Sequence, residues 1–175
     1  SLPSLPILNS TLWGHTSAVI CVAFSPDSTR IITGSGNNAI VWDAAKMFKL
    51  ETLSEHTKSV NGVAFSPDSA HIATCSDDNT AIIWDAVTMQ KLETLSGHTR
   101  PVNSIAYSPD STRIATASDD GTAKVWDPQS SVNDPRLLSG HTSGVNSVAF
   151  SPDSVRIATA SDGNTAILWD AETMQ

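Results

Sequence analysis

Four histidines, each followed by threonine, recur at His15, His56, His98 and His141, and two aspartate pairs, Asp77-Asp78 and Asp119-Asp120, fall among them. A histidine beside a carboxylate can serve as a general base, and clustered His and Asp side chains bind divalent metals. The spacing argues against both. The histidines are one repeat apart with no second ligand nearby, so no metal is expected. Neighbouring aspartates point apart, and turn chemistry accounts for the residue type. No glycine-rich phosphate loop, Ser-His-Asp set or paired cysteines occurs, and the many serines fall in Ser-Pro-Asp-Ser turns and at strand ends. Cys21 and Cys75 occupy non-equivalent positions of predicted inner strands, which suits small buried hydrophobes rather than a disulfide framework. His71 stands by itself at a predicted hairpin, as a solvated surface residue does. The chain reads as non-enzymatic, with no cofactor.

What positions these residues is a repeat. Trp42, Trp84, Trp126 and Trp169 follow one another at intervals of 42, 42 and 43 residues, each with Asp after it, and each His-Thr pair lies 27 or 28 residues upstream. A period of this length outweighs what the 175-residue length alone suggests, and marks a supersecondary unit that buries its faces against its neighbours. In the third unit Lys91 to Leu95 alternates polar and apolar residues, as a half-exposed strand does. Gly97 to Thr99 is a turn, and Val102 to Tyr107 is an apolar strand. Ser108 to Ser111 is a tight turn in which Pro109 fixes φ and Asp110 can bond its own backbone. Arg113 to Ser118 is an inner strand rich in small residues, Asp119 to Gly121 turns again, and Thr122 to Trp126 is a third inner strand. Four short strands per period and no helical periodicity predict an all-β chain of antiparallel meanders. Small residues at Ala106, Ala115 and Ala117 suit sheets that converge on an axis.

The pattern GHT…VAFSPDS…IATxSDD…WD resembles the WD-repeat β-propeller family, from about Ile7 to Gln175. The wording of the repeats also resembles sensor arrays of fungal and bacterial signal-transducing NTPases. The third and fourth units match at 21 of 30 positions between His98–Asp127 and His141–Asp170, a sign of recent duplication. The expected organisation is one domain over 1–175, with a linker at 1–6 and repeats at about 8–43, 49–85, 91–127 and 136–170. The resemblance implies a relay from the histidine through a strand Ser or Thr to the turn Asp and the Trp indole. It would run through His56, Thr74 or Ser76, Asp78 and Trp84, and through His98, Thr116 or Ser118, Asp120 and Trp126. The first repeat has no Asp in its Ser35-Gly-Asn-Asn38 turn. The fourth has Asp162 one place early, with Gly163 where the carboxylate belongs. Intact relays are therefore expected in the two middle repeats only.

The resemblance also implies a peptide- or protein-binding face. Mapped repeat by repeat, it comprises Ala18 and Ile20; Ser59, Asn61 and Asp77; Pro101, Asn103 and Asp119; and Gly144, Asn146 and Asp162. This makes an Asn layer and an acidic layer, suited to Lys- or Arg-bearing peptides. Equally, near-identical repeats give near-identical surfaces without any ligand. Four units are fewer than the seven or eight that the family favours. Leu8 to Leu12 reads as an outer strand with no inner strands before it. Three closures follow: an eight-bladed ring of two C2-related chains, each lending this strand to the other's last blade; part of a longer propeller; or a four-bladed monomer.

A net charge of −8 and a pI near 4.8 disfavour nucleic acid and anionic membranes as partners. No apolar run approaches the roughly 18 residues that span a bilayer. The opening residues, interrupted by Pro3 and Pro6, lack the charged start of a signal peptide. The chain begins at Ser rather than Met, as an excised domain would, and the sparse cysteines predict a reducing, cytoplasmic setting. A protein scaffold or sensor module is the expected function, with a structural self-assembly unit as the alternative.

Overall fold

The computed structural model describes residues 10–130 and 134–175, and every regular element in them is a strand. The first sheet comprises β1 (Val19–Phe24), β2 (Arg30–Ser35), β3 (Asn38–Asp43) and β4 (Lys49–Leu53). The second comprises β5 (Val60–Phe65), β6 (His71–Ser76), β7 (Thr80–Asp85) and β8 (Lys91–Ser96). The third holds β9 (Val102–Tyr107), β10 (Ile114–Ser118), β11 (Thr122–Trp126) and β12 (Arg136–Ser139). In the last, β13 (Val145–Phe150), β14 (Arg156–Ser161) and β15 (Thr165–Asp170) pair without a fourth strand among the described residues. Each sheet is an antiparallel meander in chain order.

Local chemistry explains the turns. In the Ser-Pro-Asp-Ser turns the serine at the fourth position has positive φ, at 61° for Ser28 and Ser111 and 62° for Ser69 and Ser154. The aspartate before it closes the loop. Asp110 Oδ1 accepts from the Ser108 hydroxyl at 2.5 Å, the Thr112 amide at 3.0 Å and the Thr112 hydroxyl at 2.7 Å. These bonds, that of Ser108 foremost, hold the Asp110 carboxyl down at about 2.

The core lies between the sheets. One seam joins Ile32, Val41 and Leu53 of the first sheet to Phe65, Ile72 and Trp84 of the second. The next joins Cys75, Ile83 and Leu95 to Val102, Ile114 and Trp126. The third joins Ala117, Val125 and Leu138 to Val145, Ile157 and Trp169. Every interior sheet thus buries both faces, as the taper of small residues predicts. The fourth sheet leaves one face uncovered, whereas in the first only β1 is exposed and Ile31, Ile40 and Trp42 are buried with Leu12 packed against them.

The two cysteines fit this packing. Cys21 pairs with Gly34 in register, and Gly62 pairs with Cys75, where the later repeats have Ser104 with Ala117 and Ser147 with Ala160. Each thiol faces a residue without a Cβ. A Cβ built on Gly62 would stand 2.8 Å from Cys75 Sγ. Cys75 is fully buried, and desolvation pushes its thiol pKa well up, so it stays neutral.

One expected element is corrected. Leu8 to Leu12 was expected as an outer strand; its first two residues lie outside the described residues, and Ser10 to Leu12 form no strand. We predict that Gly62→Ala costs about 1–3 kcal/mol by overpacking. Adding Cys75→Ala should recover most of that loss, and urea titration of the single and double variants measures both.

Candidate functional site

The relay residues converge in the two middle sheets. His56 Nδ1–H donates to Asp78 Oδ2 at 2.8 Å, and its Nε2 lies 2.8 Å from Thr74 Oγ1. Trp84 Nε1–H donates to the same Thr74 hydroxyl at 3.1 Å. In the third sheet His98 lies 2.8 Å from Asp120 and 2.7 Å from Thr116, and Trp126 donates to Thr116 at 2.9 Å. With Nδ1 facing a carboxylate, Nε2 is the acceptor, so each threonine hydroxyl donates to imidazole and accepts from indole. A burial-wide deficit of partners is avoided with one hydroxyl per sheet.

Of the two hydroxyls open to each relay, the threonine takes the place. Ser76 instead donates to the Lys58 carbonyl at 3.0 Å and accepts from the Asp78 amide at 3.1 Å; Ser118 does the same with Arg100 and Asp120. The outer sheets keep the His–Thr–Trp line and lack only the carboxylate. His15 and Trp42 meet at Thr33, at 2.6 and 2.7 Å, and His141 and Trp169 meet at Thr159, at 2.7 and 2.9 Å. Thr165 Oγ1, 3.1 Å from His141 Nδ1, stands where Asp would be. Sequence reasoning missed Thr165, and likewise Thr80 and Thr122, whose amides and hydroxyls bind the relay carboxylates at 3.0 and 2.6 Å. A threonine two residues after each relay Asp was the available signal.

Burial works to raise the Asp78 and Asp120 carboxyls, but these bonds and those from His and the Thr57 or Thr99 amide outweigh it and leave both below their ordinary value. Burial lowers the His98 pKa, against the pull of Asp120, so the ring is neutral at pH 7.

The residues expected on a binding face sit at a β-bulge. The register of each first strand skips one residue between Val19 and Cys21, Val60 and Gly62, Val102 and Ser104, and Val145 and Ser147. The skipped residues are Ile20, Asn61, Asn103 and Asn146. A bulge re-aims its side chain away from the ladder. Asn61 Nδ2 donates to Asp77 Oδ1 at 2.7 Å, Asn103 to Asp119 at 2.6 Å, and Asn146 to Asp162 at 2.6 Å. Asn61 also donates to the Val102 carbonyl and Asn103 to the Val145 carbonyl, both at 3.0 Å, so each ties its sheet to the next. The Asp77, Asp119 and Asp162 amides in turn donate to the carbonyls of Ser59, Pro101 and Gly144. A Cβ on Gly144 would lie 3.1 Å from Asp119 Oδ1, so glycine there leaves room for the neighbouring carboxylate. The first repeat joins no such pair; Ala18 and Ile20 are exposed apolar residues.

A cavity of about 410 Å³ opens at this end between the third and fourth sheets, lined by Arg100, Asp119, Asp120, His141, Thr142 and Gly144. Another, of about 360 Å³, lies away from the Asn–Asp layer, among Glu93, Arg113, Arg136, Glu172 and Met174. Among the described residues no three His, Cys, Asp or Glu side chains are placed to hold a metal ion, and no helix is long and apolar enough to cross a membrane.

Asp78→Ala and Asp120→Ala should each lower stability by about 1–3 kcal/mol at pH 7, since each leaves a buried His donor unpaired. The carboxylates' folded pKa values lie below the unfolded value of about 3.9, so their contribution is complete above that pH and is lost as pH falls through the folded values. His98, lowered in the folded state, begins to destabilise the fold once pH drops below about 6.5, because the unfolded chain takes up the proton first. Thermal melts from pH 8 to 3 should therefore fall from below pH 6.5, with the gap between wild type and Asp120→Ala closing at the acid end.

No match to a curated protein is found. The family model described as "WD domain, G-beta repeat" matches four times, at residues 7–43, 48–85, 89–127 and 133–170. Those matches cover most of the chain, and each contains one His–Thr–Trp line and the three inner strands of one sheet, the second to fourth also taking in the outer strand of the sheet before; the chain therefore belongs to the WD-repeat β-propeller family.

Proposed function

We propose that this chain is a non-catalytic scaffold or sensor module, working in the cytoplasm, that takes up a Lys- or Arg-bearing segment of a protein partner. WD-repeat domains generally mediate protein–protein interaction. The observation that carries the finer reading is the Asn–Asp pair, standing at three equivalent bulges on one rim beside a cavity. Each Asp gives one oxygen to its Asn, and a net charge of −8 adds a field that draws cationic side chains to the rim.

A second reading, a structural self-assembly unit, is supported by apolar side chains exposed on β1 and on the last sheet. Val19, Val22 and Phe24 on β1 are 49, 64 and 62 % exposed, and Leu168 on β15 is 60 % exposed. Apolar patches of this kind mark contact surfaces.

On an array of basic, neutral and acidic peptides, the chain should retain Lys- and Arg-bearing sequences. Asp77→Lys combined with Asp119→Lys should weaken that retention at least tenfold. Retention that ignores charge, or survives the double substitution, retires the peptide-binding reading.

A further inference from the structure

The fourth sheet keeps the donors of the relay and lacks the carboxylate that they serve. In the second sheet Asp78 stands where four donors meet. Its Oδ2 accepts from His56 Nδ1 at 2.8 Å and the Thr57 amide at 3.0 Å, and its Oδ1 from the Thr80 amide at 3.0 Å and hydroxyl at 2.6 Å. Asp120 repeats this with His98, Thr99 and Thr122, at 2.8, 3.1, 3.0 and 2.6 Å. In the fourth sheet the matching residues are His141, Thr142 and Thr165, and Gly163 brings no side chain between them.

The partners decide where the protons lie. Thr159 is buried, and among the described residues its hydroxyl meets only Trp169 Nε1 at 2.9 Å and His141 Nε2 at 2.7 Å. An indole N–H can only donate, so Thr159 Oγ1 accepts from it and turns its own proton to Nε2. The ring proton of His141 is then on Nδ1, which donates to Thr165 Oγ1 at 3.1 Å. The Thr165 hydroxyl proton is left without an acceptor among the described residues, and so is the Thr142 amide, the counterpart of the Thr57 and Thr99 amides. A Cβ built on Gly163 would stand 2.9 Å from Thr142 Oγ1, so Thr142 borders the place that Asp78 and Asp120 fill in their own sheets. That hydroxyl ends an exposed side chain and can turn aside.

Such a place suits a carboxylate in spite of the net charge of −8. Asp78 adjoins Asp77 and Asp120 adjoins Asp119, as Gly163 adjoins Asp162. Burial pushes the Asp78 and Asp120 carboxyls up as well, yet their donors outweigh it and hold both below the ordinary value. Asp162 is engaged as Asp77 is, through an Asn at 2.6 and 2.7 Å respectively. His141 and Thr142 also line the rim cavity of about 410 Å³, beside Arg100, which gives a ligand access. The first sheet offers no such place, because its turn is one residue shorter and Asn38 stands where the threonine does.

We propose that the fourth sheet is a carboxylate-binding site, in which a carboxylate from outside the chain completes the relay in place of the aspartate. One oxygen accepts from His141 Nδ1 and the Thr142 amide, and the other from the Thr165 hydroxyl, as in the second and third sheets. A free small acid and an Asp or Glu side chain of a partner protein present the same group. The site does not rest on the cationic-segment reading, since Asp162 stays on Asn146 whether or not it is filled. All of its donors belong to the fourth repeat itself.

Proton–nitrogen amide spectra of the chain at pH 7, titrated with sodium formate against sodium chloride at equal ionic strength, test this. The Thr142 amide should move downfield and saturate with formate and not with chloride. The Thr57 and Thr99 amides, whose acceptors are in place, should stay. Gly163→Asp supplies the carboxylate within the chain and should abolish the response. Asp78→Gly should make the Thr57 amide respond as Thr142 does. Capped peptides carrying one Glu, each against its Gln counterpart, separate the sources. A Glu peptide that moves Thr142 at lower concentration than formate assigns the site to a partner's side chain, and a response to formate alone assigns it to a free acid. A Thr142 amide that ignores both formate and the Glu peptide overturns the proposal, as does a response that survives Gly163→Asp.

Discussion

Every sheet in this protein has two apolar faces, and the core forms only where one sheet covers the face of the next. The rest of the structure follows from that constraint. Four-stranded meanders of about 40 residues are too thin to carry a core of their own, so the apolar clusters lie between sheets rather than within any one of them. Small residues on the inner strands let successive sheets approach, and where a thiol intrudes the opposite residue has lost its Cβ. Ladder hydrogen bonds make each sheet, but apolar burial orders the series.

Within each sheet, a single threonine hydroxyl reconciles two polar rings with an apolar interior. Thr33, Thr74, Thr116 and Thr159 each bridge an imidazole and an indole, and all four sheets keep this bridge. The carboxylate is present only where His56 and His98 are buried. His15 and His141 are half-buried, and water can serve their Nδ1. The Asp therefore follows the burial of the ring it serves, and it is absent from the two end sheets, whose rings are half-buried.

Most of the fold was legible in the sequence because it is carried by local signals repeated in phase. Proline, aspartate and serine mark the turns, alternation marks the strands, and the Trp spacing sets the unit. The relay was legible in outline but not in its hydroxyl, because Thr74 and Ser76 lie two apart on one strand and point to the same side. The bulge left no trace in hydrophobic pattern. Asn61, Asn103 and Asn146 could be placed beside a valine, but not seen to reach the next sheet's backbone.

That bulge also changes how the repeated Asn and Asp residues are to be weighed. A rim motif recurring three times invites a ligand as its explanation. Here Asn61 and Asn103 each bind an Asp of their own sheet and a carbonyl of the next, so seam geometry alone accounts for the pair. Among the described residues Asn146 keeps its Asp and makes no bond to a carbonyl, which separates the two roles within one chain. If the pair served the seam only, the fourth copy would be idle in a lone chain and engaged in a ring. If it served a ligand, the fourth copy would be the most accessible of the three. The first repeat, with Ile20 at the bulge and no Asp in its turn, has given up the pair altogether, and there the Gly36 carbonyl accepts from the Val60 amide at 2.7 Å. A seam can thus be made without the pair, and where Asn61 and Asn103 stand the pair adds a tie to the next sheet's backbone.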